Sequence, residues 1–278
     1  MNDHLITAFD FNSDELIELF DELPFWAAPF GLKLLENVRM RKNSTVLDIG
    51  FGAGFPLTEL AMRFGKSSKV YGIDPWEAAI KRAEKKIAFY GIDNVEIIRG
   101  VAENIPLGDR SVDLITSNNG LNNVSDLNKT LSECSRIMKS GGQFIQTMNL
   151  SETMIEFYDI MEEVLKEYGM QTEIDAMWNH IYRMRKPLEE LVSLVEKNGF
   201  SVKKVIKDQF NYTFADGSTV LQYYFIRLAF LDSWKNIVSE DKQAEIFEII
   251  ENKMNKIAED QGFFKLSIPF AVIDSEKI

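Results

Sequence analysis

Three glycines at alternate positions, Gly50, Gly52 and Gly54, follow a short apolar run at residues 46–49. The run has the length of a buried parallel strand, and a helix is predicted directly after the glycines, over residues 57–64. Glycine lets the backbone turn sharply and leaves no Cβ between the backbone and a ligand. A strand, a glycine loop and a helix in this order place a nucleotide-like ligand at the carboxyl end of a parallel sheet.

The spacing of the glycines distinguishes between cofactors. A dinucleotide fingerprint reads G-x-G-x-x-G, whereas this loop reads G-x-G-x-G and has Phe55 three residues after Gly52. Asp48 stands two residues before the first glycine. The segment D-I-G-F-G-A-G at residues 48–54 resembles motif I of the class I S-adenosylmethionine (SAM)-dependent methyltransferases.

Composition and charge exclude several classes of protein. The chain has 278 residues, of which 45% are hydrophobic, so it is long enough and apolar enough for a large core. Its 31 basic and 43 acidic residues give a net charge of −12, which argues against a nucleic-acid partner. Its one cysteine, Cys134, excludes internal disulfides and a cysteine-built metal site, and we expect no metal.

The distribution of apolar residues favours a cytoplasmic protein. Residues 1–4 lack the basic and then apolar order of a signal peptide. The longest apolar stretch, residues 223–231, contains Arg227 and is too short to span a bilayer. We therefore expect no stable membrane insertion.

A second predicted strand ends in an acidic residue. Residues 70–74 read V-Y-G-I-D, and Asp74 lies about 20 residues after Gly54, the separation expected for a carboxylate at the end of the next strand. Such a carboxylate can accept two hydrogen bonds from ribose hydroxyls. Four strand-then-helix repeats within residues 41–150 predict a doubly wound parallel sheet.

Three further segments extend the resemblance. Asp74 matches the acidic motif II of the family, and A-E-N-I-P-L at residues 102–107 resembles the A-E-x-[IL]-P segment at the adenine. R-I-M-K-S-G-G at residues 136–142 resembles the R-x-L-K-P-G-G turn before strand five. Together they are similar to the small-molecule branch that contains the ubiquinone and menaquinone methyltransferases (methyltransferase type 11). Residues 40–150 carry this resemblance.

The resemblance implies SAM as cofactor and a Rossmann-like, seven-stranded, mostly parallel sheet with helical cap insertions. The cofactor-binding residues that it implies are Asp48, Gly50, Phe51, Gly52, Gly54, Asp74, Pro75, Ala102, Glu103 and Asn118. One position departs from the family, which has aspartate before the Ala-Glu pair as acceptor for the adenine amino group. Val101 stands there, so either the backbone or Glu103 supplies the acceptor, or adenine is held by apolar contact.

The remaining segments are predicted to complete a single domain of residues 1–278. Its parts are an N-terminal helical flank (1–40), the SAM-binding core (41–150), a helical cap insertion (151–186), the last helix and strand of the core (187–214), a second helical insertion (215–261) and the final strand (262–278). Ser13, Ser125 and Ser151 are predicted helix N-caps. Pro24, Pro29 and Gly31 are predicted to break the flank around Phe25, Trp26 and Phe30.

The two insertions are long enough to cover the carboxyl edge of the sheet, and their aromatic residues suit a flat or lipophilic acceptor. The predicted substrate-binding residues are Trp26, Asn119, Asn123, Trp178 and His180. For His180 a structural role and a role in positioning or deprotonating the acceptor are both left open.

These features predict methyl transfer to a small, apolar or aromatic acceptor by in-line displacement at the sulfonium methyl. No catalytic residue is assigned, because a general base is needed only if the acceptor arrives protonated. A non-catalytic SAM-binding protein and a nicotinamide-dependent oxidoreductase are the alternatives. Arsenite methylation is rejected for want of cysteines, and DNA methylation because no Asn-Pro-Pro-Tyr segment is present. The oligomeric state is left open, with a homodimer as one alternative.

Overall fold

The computed structural model describes residues 9–21 and 26–278. Helix α1 (Asp14–Asp21) begins after Ser13, whose hydroxyl accepts the amide of Leu16 at 3.0 Å, as predicted for an N-cap. The predicted break at Pro24 and Phe25 lies outside the described residues.

The predicted break at Pro29 and Gly31 is wrong, because both residues lie inside helix α2 (Ala27–Asn37). Pro29 stands in the first turn of α2, where its missing N–H has no intrahelical acceptor to bond. At Gly31 a Cβ would overlap the ring of Phe55, so the absence of a side chain lets that ring lie against the helix.

The described residues form one sheet of seven strands. The strands are β1 (Thr45–Ile49), β2 (Lys69–Asp74), β3 (Val95–Arg99), β4 (Val112–Asn118), β5 (Met138–Asn149), β6 (Phe200–Phe214) and β7 (Phe264–Lys277). Their order is β3-β2-β1-β4-β5-β7-β6; the pairs among β1 to β5 are parallel, and β7 runs antiparallel to β5. The predicted fold class is confirmed.

The helices follow the strands as expected for a doubly wound sheet. They are α3 (Leu57–Phe64), α4 (Glu77–Tyr90), α5 (Leu127–Ile137), α6 (Ile155–Glu167), α7 (Gln171–Met184), α8 (Leu188–Lys197), α9 (Gly217–Gln222), α10 (Tyr224–Ile226), α11 (Asp232–Lys235) and α12 (Glu240–Gln261), with a 3₁₀ turn at Gly120–Asn123 and a π turn at Arg227–Leu231. Gly91 ends α4 in the left-handed conformation, at φ 64°, as its position predicts.

Two predicted helix starts are wrong. Helix α5 is capped by Asp126, whose carboxylate accepts the amide of Lys129 at 2.9 Å, and the predicted cap Ser125 lies one residue earlier. The predicted cap Ser151 lies in a turn, and α6 begins only after Met154, which has φ 59°. The hydroxyl of Ser151 donates to Glu152 at 2.9 Å instead of accepting a helix amide.

The chain forms two compact units. The sheet unit comprises Asp10–Asn149, Pro187–Asp208 and Phe270–Ile278. The helical unit comprises, among the described residues, Phe9, Leu150–Lys186 and Gln209–Pro269. The prediction of a single domain with inserted segments stays a prediction.

In the sheet unit, strand β1 lies between β2 and β4 and is buried along its length. Leu47 and Ile49 are at most 2% exposed and belong to a cluster that includes Ile115 and Phe144. Because β1 has β2 on one side and β4 on the other, the strand order reverses at β1, which makes the carboxyl ends of β1 and β4 a topological switch point. Ligands of doubly wound folds bind at this place.

The helical unit has its own aromatic core. The ring of Phe157 stacks on Trp234 with centroids 3.8 Å apart, and the Trp234 indole donates to the Tyr158 hydroxyl at 2.9 Å. All three side chains are fully buried. The indole and phenol groups therefore satisfy each other inside an apolar environment, as buried Trp and Tyr require.

Candidate cofactor site

The glycine loop has an open face. Gly50, Gly52 and Gly54 have φ values of 74°, 52° and 111°, which side chains rarely adopt. A Cβ at Gly52 would meet no atom within 4 Å, whereas one at Gly54 would lie 3.4 Å from Ala83 on α4. Gly54 thus permits close helix packing, and Gly52 leaves backbone exposed for a ligand.

Gly50 has a different neighbour, the loop after strand β4. A Cβ at Gly50 would lie 2.6 Å from the Cα of Gly120, and one at Gly120 would overlap the Ile49 carbonyl oxygen. The Ser117 hydroxyl donates to that carbonyl at 3.0 Å and accepts the amide of Leu121 at 3.2 Å. The loops after β1 and β4 therefore contact each other backbone to backbone at the switch point. Gly120 was not among the predicted site residues, although its place after a strand and a run of asparagines was a signal for it.

Asp74 lies directly beside the glycine loop. Its carboxylate accepts the amide of Gly52 and the amide of Trp76, each at 2.8 Å. Burial raises the pKa of Asp74, while these two hydrogen bonds oppose the rise. Each carboxylate oxygen accepts a single bond from the protein and keeps a lone pair, so the group can still accept ribose hydroxyls.

Asp48 is fully buried in the middle of the sheet. Its Oδ1 accepts the hydroxyl of Thr116 at 2.7 Å, and its Oδ2 has no hydrogen-bond partner among the described residues. Burial raises the pKa of Asp48 to about 7; the Thr116 bond opposes the rise, and the charge of Asp74 adds to it. Asp48 therefore titrates near neutral pH, two residues before Gly50.

Two predicted cofactor residues next to the loop lie in opposite environments. The ring of Phe51 is 1% exposed and would lie 2.8 Å from a Cβ at Gly72, so it belongs to the core and only its backbone is available to a ligand. Pro75 is exposed directly after Asp74. The structure thus brings Gly52, Asp74 and Pro75 together at one edge and turns the Phe51 side chain away from it.

The predicted adenine segment follows strand β3. Val101 is 48% exposed, whereas Ala102 is buried. The carboxylate of Glu103 accepts the amides of Ser125 at 2.7 Å and Asp126 at 3.1 Å, so it holds the turn before α5. The exposed Val101 side chain leaves apolar surface for a purine, while Oε1 of Glu103 accepts both amides of the turn.

Arg136 binds the backbone of this adenine segment. Its guanidinium donates to the carbonyl oxygens of Ile105 at 2.8 Å and Leu107 at 2.9 Å, and to the Asp109 carboxylate at 2.7 Å. Glu133 accepts from Arg136 at 2.7 Å and from the Ile105 amide at 2.9 Å. This network explains why the A-E-N-I-P-L and R-I-M-K-S-G-G segments belong together: the second fixes the backbone of the first.

The side chain of Asn118 joins three elements at the end of β4. Its amide donates to the Ala27 carbonyl at 3.0 Å, at the start of α2, and its Oδ1 accepts the hydroxyl of Thr147 on β5 at 2.9 Å. The residue is 8% exposed. A cofactor role for Asn118 stays a prediction, and the structure gives its side chain a role in fixing the edge of the site.

A second group of asparagines follows. Asn119 has φ 60°, and its Oδ1 accepts from Asn122 at 3.2 Å; Asn122 also donates to Asn149. Asn119 Nδ2 and Asn122 Oδ1 are buried without a hydrogen-bond partner among the described residues. Asn123 is exposed and takes no part in these bonds. Asn119 is therefore the better placed of the two predicted substrate residues in this loop.

The other predicted substrate residues lie apart in the chain. Trp26 is partly buried before α2, with its ring 5.3 Å from that of Phe30. Trp178 and His180 belong to the helical unit; Trp178 is 41% exposed and donates to Glu162 at 3.1 Å. Burial lowers the pKa of His180, and the charges of two neighbouring arginines lower it further, so its imidazole is neutral at pH 7. Their substrate roles stay predictions.

Residues 9–21 and 26–278 contain no group of three or more His, Cys, Asp or Glu that is placed to hold a metal ion. Within the same ranges no helix has the length and apolar character needed to cross a bilayer. Burial raises the pKa of the Cys134 thiol far above its usual range, so this cysteine is an unreactive part of the core.

The sheet order, the glycine loop at the switch point and an acidic residue at the end of the neighbouring strand define the nucleoside-binding class of α/β proteins. Comparison with protein families narrows this class. A family described as a methyltransferase domain matches residues 40–262, and the chain belongs to this family. The predicted resemblance, fold class and cofactor, SAM, are confirmed by this membership.

Two curated relatives are similar in sequence. The chain is 35% identical over 109 residues to the demethylmenaquinone methyltransferase of Geobacillus stearothermophilus, over 39% of this chain and 47% of that enzyme. It is 34% identical over 171 residues to the ubiquinone/menaquinone biosynthesis C-methyltransferase of Escherichia coli, over 58% of this chain and 68% of that enzyme. The chain thus spans about half the length of the Geobacillus relative.

A solved structure shares the fold. The SAM-dependent methyltransferase of Aquifex aeolicus superposes with a TM-score of 0.54 at 24% identity, over 72% of this chain and 93% of that one. At this identity the likeness establishes the architecture of the sheet.

Proposed function

We propose that the chain transfers the methyl group of SAM to a small, apolar or aromatic acceptor by in-line displacement at the sulfonium methyl. The observation that carries the proposal is the open backbone face of Gly52 beside the Asp74 carboxylate, to which its amide donates at 2.8 Å. Bare backbone next to an acceptor of hydroxyl hydrogen bonds suits a nucleoside with a free ribose. Family membership supports the same cofactor.

The chain's own residues would hold the cofactor in three places. The glycine loop lines the methionine and ribose side, and Asp74 orients the ribose hydroxyls. Val101 and Ala102 give adenine an apolar surface, and the Arg136 network keeps that segment in place before a ligand arrives. Such preorganisation reduces the ordering cost of binding.

When bound, SAM supplies a methyl group that its sulfonium charge has already activated. The protein's task is then to position the acceptor in line with the methyl–sulfur bond and to exclude water. We assign this task to Trp26, Asn119, Asn123, Trp178 and His180. The neutral imidazole of His180 can take a proton from an acceptor that arrives protonated.

The names of the relatives suggest the first acceptor to try, a short-chain demethylmenaquinone reduced to its quinol. The experiment measures S-adenosylhomocysteine release from SAM with this quinol and with a panel of phenols, amines and thiols. Acceptor-dependent release that Asp74→Ala reduces and the surface variant Asp93→Asn leaves unchanged supports the proposal. Binding of S-adenosylhomocysteine without release on any acceptor indicates the non-catalytic alternative, and tight binding of NADH indicates the oxidoreductase.

A cytoplasmic location and a homodimeric assembly also belong to the proposal. Light scattering of the purified chain tests the assembly directly.

A further inference from the structure

The helical unit contains a buried arginine without a carboxylate. Arg185 is 5% exposed at the end of α7. Of its five N–H donors, one contacts the Thr153 carbonyl oxygen, at a long 3.4 Å. No Asp or Glu among residues 9–21 and 26–278 pairs with it. The guanidinium also lies over the faces of two rings, Tyr158 and Phe230, whose centroids are each 5.9 Å from its carbon atom.

Surface lysines of the same unit show the opposite arrangement. Lys253 pairs with Glu163 and with Glu167 at 2.9 Å each, and Lys166 pairs with Glu162 at 3.1 Å. These exposed pairs add little stability, because water already solvates both charges. The buried cation, for which a counter-charge would matter most, is the one that lacks it.

Burying an unpaired charge is unfavourable, and arginine is rarely buried without a carboxylate or phosphate. The carbonyl of Thr153, the end of α7 and two ring faces offset this cost in part. They leave four N–H groups in the planar fork that binds a carboxylate through two parallel hydrogen bonds.

We propose that Arg185 binds the carboxylate of a small ligand with an aromatic or apolar body. A carboxylate matches the single charge of Arg185, whereas a phosphate dianion would require a second cation. The rings of Tyr158 and Phe230 beside the guanidinium suit a ligand whose anionic group is attached to an apolar body. The proposal concerns the helical unit alone and goes beyond the proposed function, since it does not depend on the ligand being the methyl acceptor.

The neighbouring His180 fits the same ligand. The charge of Arg185 contributes to lowering the pKa of His180, so the two side chains influence each other electrostatically. Burial is the largest cause of the lowered pKa, and the charge of Arg183 also contributes, so a ligand carboxylate at Arg185 would offset one of three causes.

The test compares anions with neutral analogues on the full-length protein, without SAM. Benzoate and 2-naphthoate are titrated against benzamide and 2-naphthamide by calorimetry, with ligand-detected NMR for weak binding; phenyl phosphate is the phosphate arm. We expect each carboxylate to bind about tenfold tighter than its carboxamide, as a charge-assisted hydrogen bond predicts. Arg185→Met should abolish the preference, Arg185→Lys should keep part of it, and the exposed control Arg183→Met should keep all of it.

Several results would overturn the proposal. If the wild-type protein binds carboxylate and carboxamide equally, or binds phenyl phosphate more tightly than benzoate, either result refutes the carboxylate site. So does an Arg185→Met variant that keeps the preference for carboxylates. A loss of S-adenosylhomocysteine affinity in Arg185→Met as large as its loss of carboxylate affinity would show a general structural defect instead. If Arg185→Met does not fold, the wild-type comparison and Arg185→Lys decide the outcome.

A methylation assay separates this proposal from the proposed function. If carboxylates bind with the expected preference and no acceptor is methylated, the carboxylate site stands and the methyl-transfer proposal fails. If an acceptor is methylated and carboxylates bind no tighter than their carboxamides, the methyl-transfer proposal stands and the carboxylate site is refuted.

Discussion

The candidate site at the carboxyl edge of β1 and β2 is built mainly from backbone, whereas the candidate site in the helical unit is built from side chains. At the sheet edge, Gly52 leaves its backbone open to a ligand, and two backbone amides fix the Asp74 carboxylate. In the helical unit, the side chains of Tyr158, Arg185 and Phe230 come together from separate segments of the chain. The comparison teaches that a site made of backbone appears in sequence as a motif, whereas a site made of side chains on scattered segments does not.

The largest expected effect is at Gly50. Gly50→Ala should lower the free energy of unfolding by about 4 kcal/mol, because its Cβ would lie 2.6 Å from the Cα of Gly120, where neither backbone has room to move. Urea denaturation measures the change. Gly91→Ala is the matched control, since Gly91 also has a positive φ but faces open space; it should cost only about 1 kcal/mol. Equal losses in the two variants would show that the loop contact is unimportant.

The next effect is on cofactor affinity. Asp74→Ala should weaken S-adenosylhomocysteine binding by about 2 kcal/mol, because a charged acceptor of ribose hydroxyls is removed. Calorimetry with S-adenosylhomocysteine and with adenine alone separates the ribose contribution. An unchanged affinity for S-adenosylhomocysteine would refute the ribose assignment.

The buried Asp48 should make stability depend on pH. Its pKa is about 7 in the folded chain and 3.8 when unperturbed, so between these values the folded state holds a proton that the unfolded state has lost. Stability should therefore fall as pH rises through this window, by ~1.4 kcal/mol per pH unit, and level off above about pH 7. Asp48→Asn should remove this contribution, as measured by denaturation over a pH series. Asp74, whose pKa is also raised, contributes in the same direction and remains in the variant. Identical slopes for the two proteins would contradict the assignment.

The smallest expected effect distinguishes two roles for Glu103. Because its carboxylate accepts the amides of Ser125 and Asp126, Glu103→Ala should lower stability by about 1 kcal/mol and leave cofactor affinity nearly unchanged. Thermal unfolding and calorimetry measure the two quantities. A large loss of affinity without a loss of stability would instead identify Glu103 as the adenine acceptor.

Much of the fold was predictable because strands and glycine turns are local signals. The helix over residues 57–64 and the strand that ends at Asp74 agree with expectation. The errors arose where the partner of a residue is distant or where two local signals compete. The cap of α5 is Asp126 although Ser125 precedes it, and Gly31 lies inside a helix because Phe55 packs on it.

In the candidate site, too, the parts set by local sequence were predictable and the parts set by distant contacts were not. Gly52 and Asp74 could be placed together because the ends of neighbouring parallel strands meet at one edge. The core position of Phe51 could not be foreseen, since it depends on the space above Gly72. Arg185 gave no signal, because an arginine at a helix end is ordinary until its burial and its missing carboxylate are known.

The contact between Gly50 and Gly120 also constrains how the two loops move. The Ser117 hydroxyl links the two loops as well, because it bonds both the Ile49 carbonyl and the Leu121 amide. We therefore expect the loops to open together, and S-adenosylhomocysteine to slow amide deuterium exchange at Leu121, in the loop after β4, together with exchange at Gly52. A ligand that contacts only the glycine loop would in this way also order the asparagine loop.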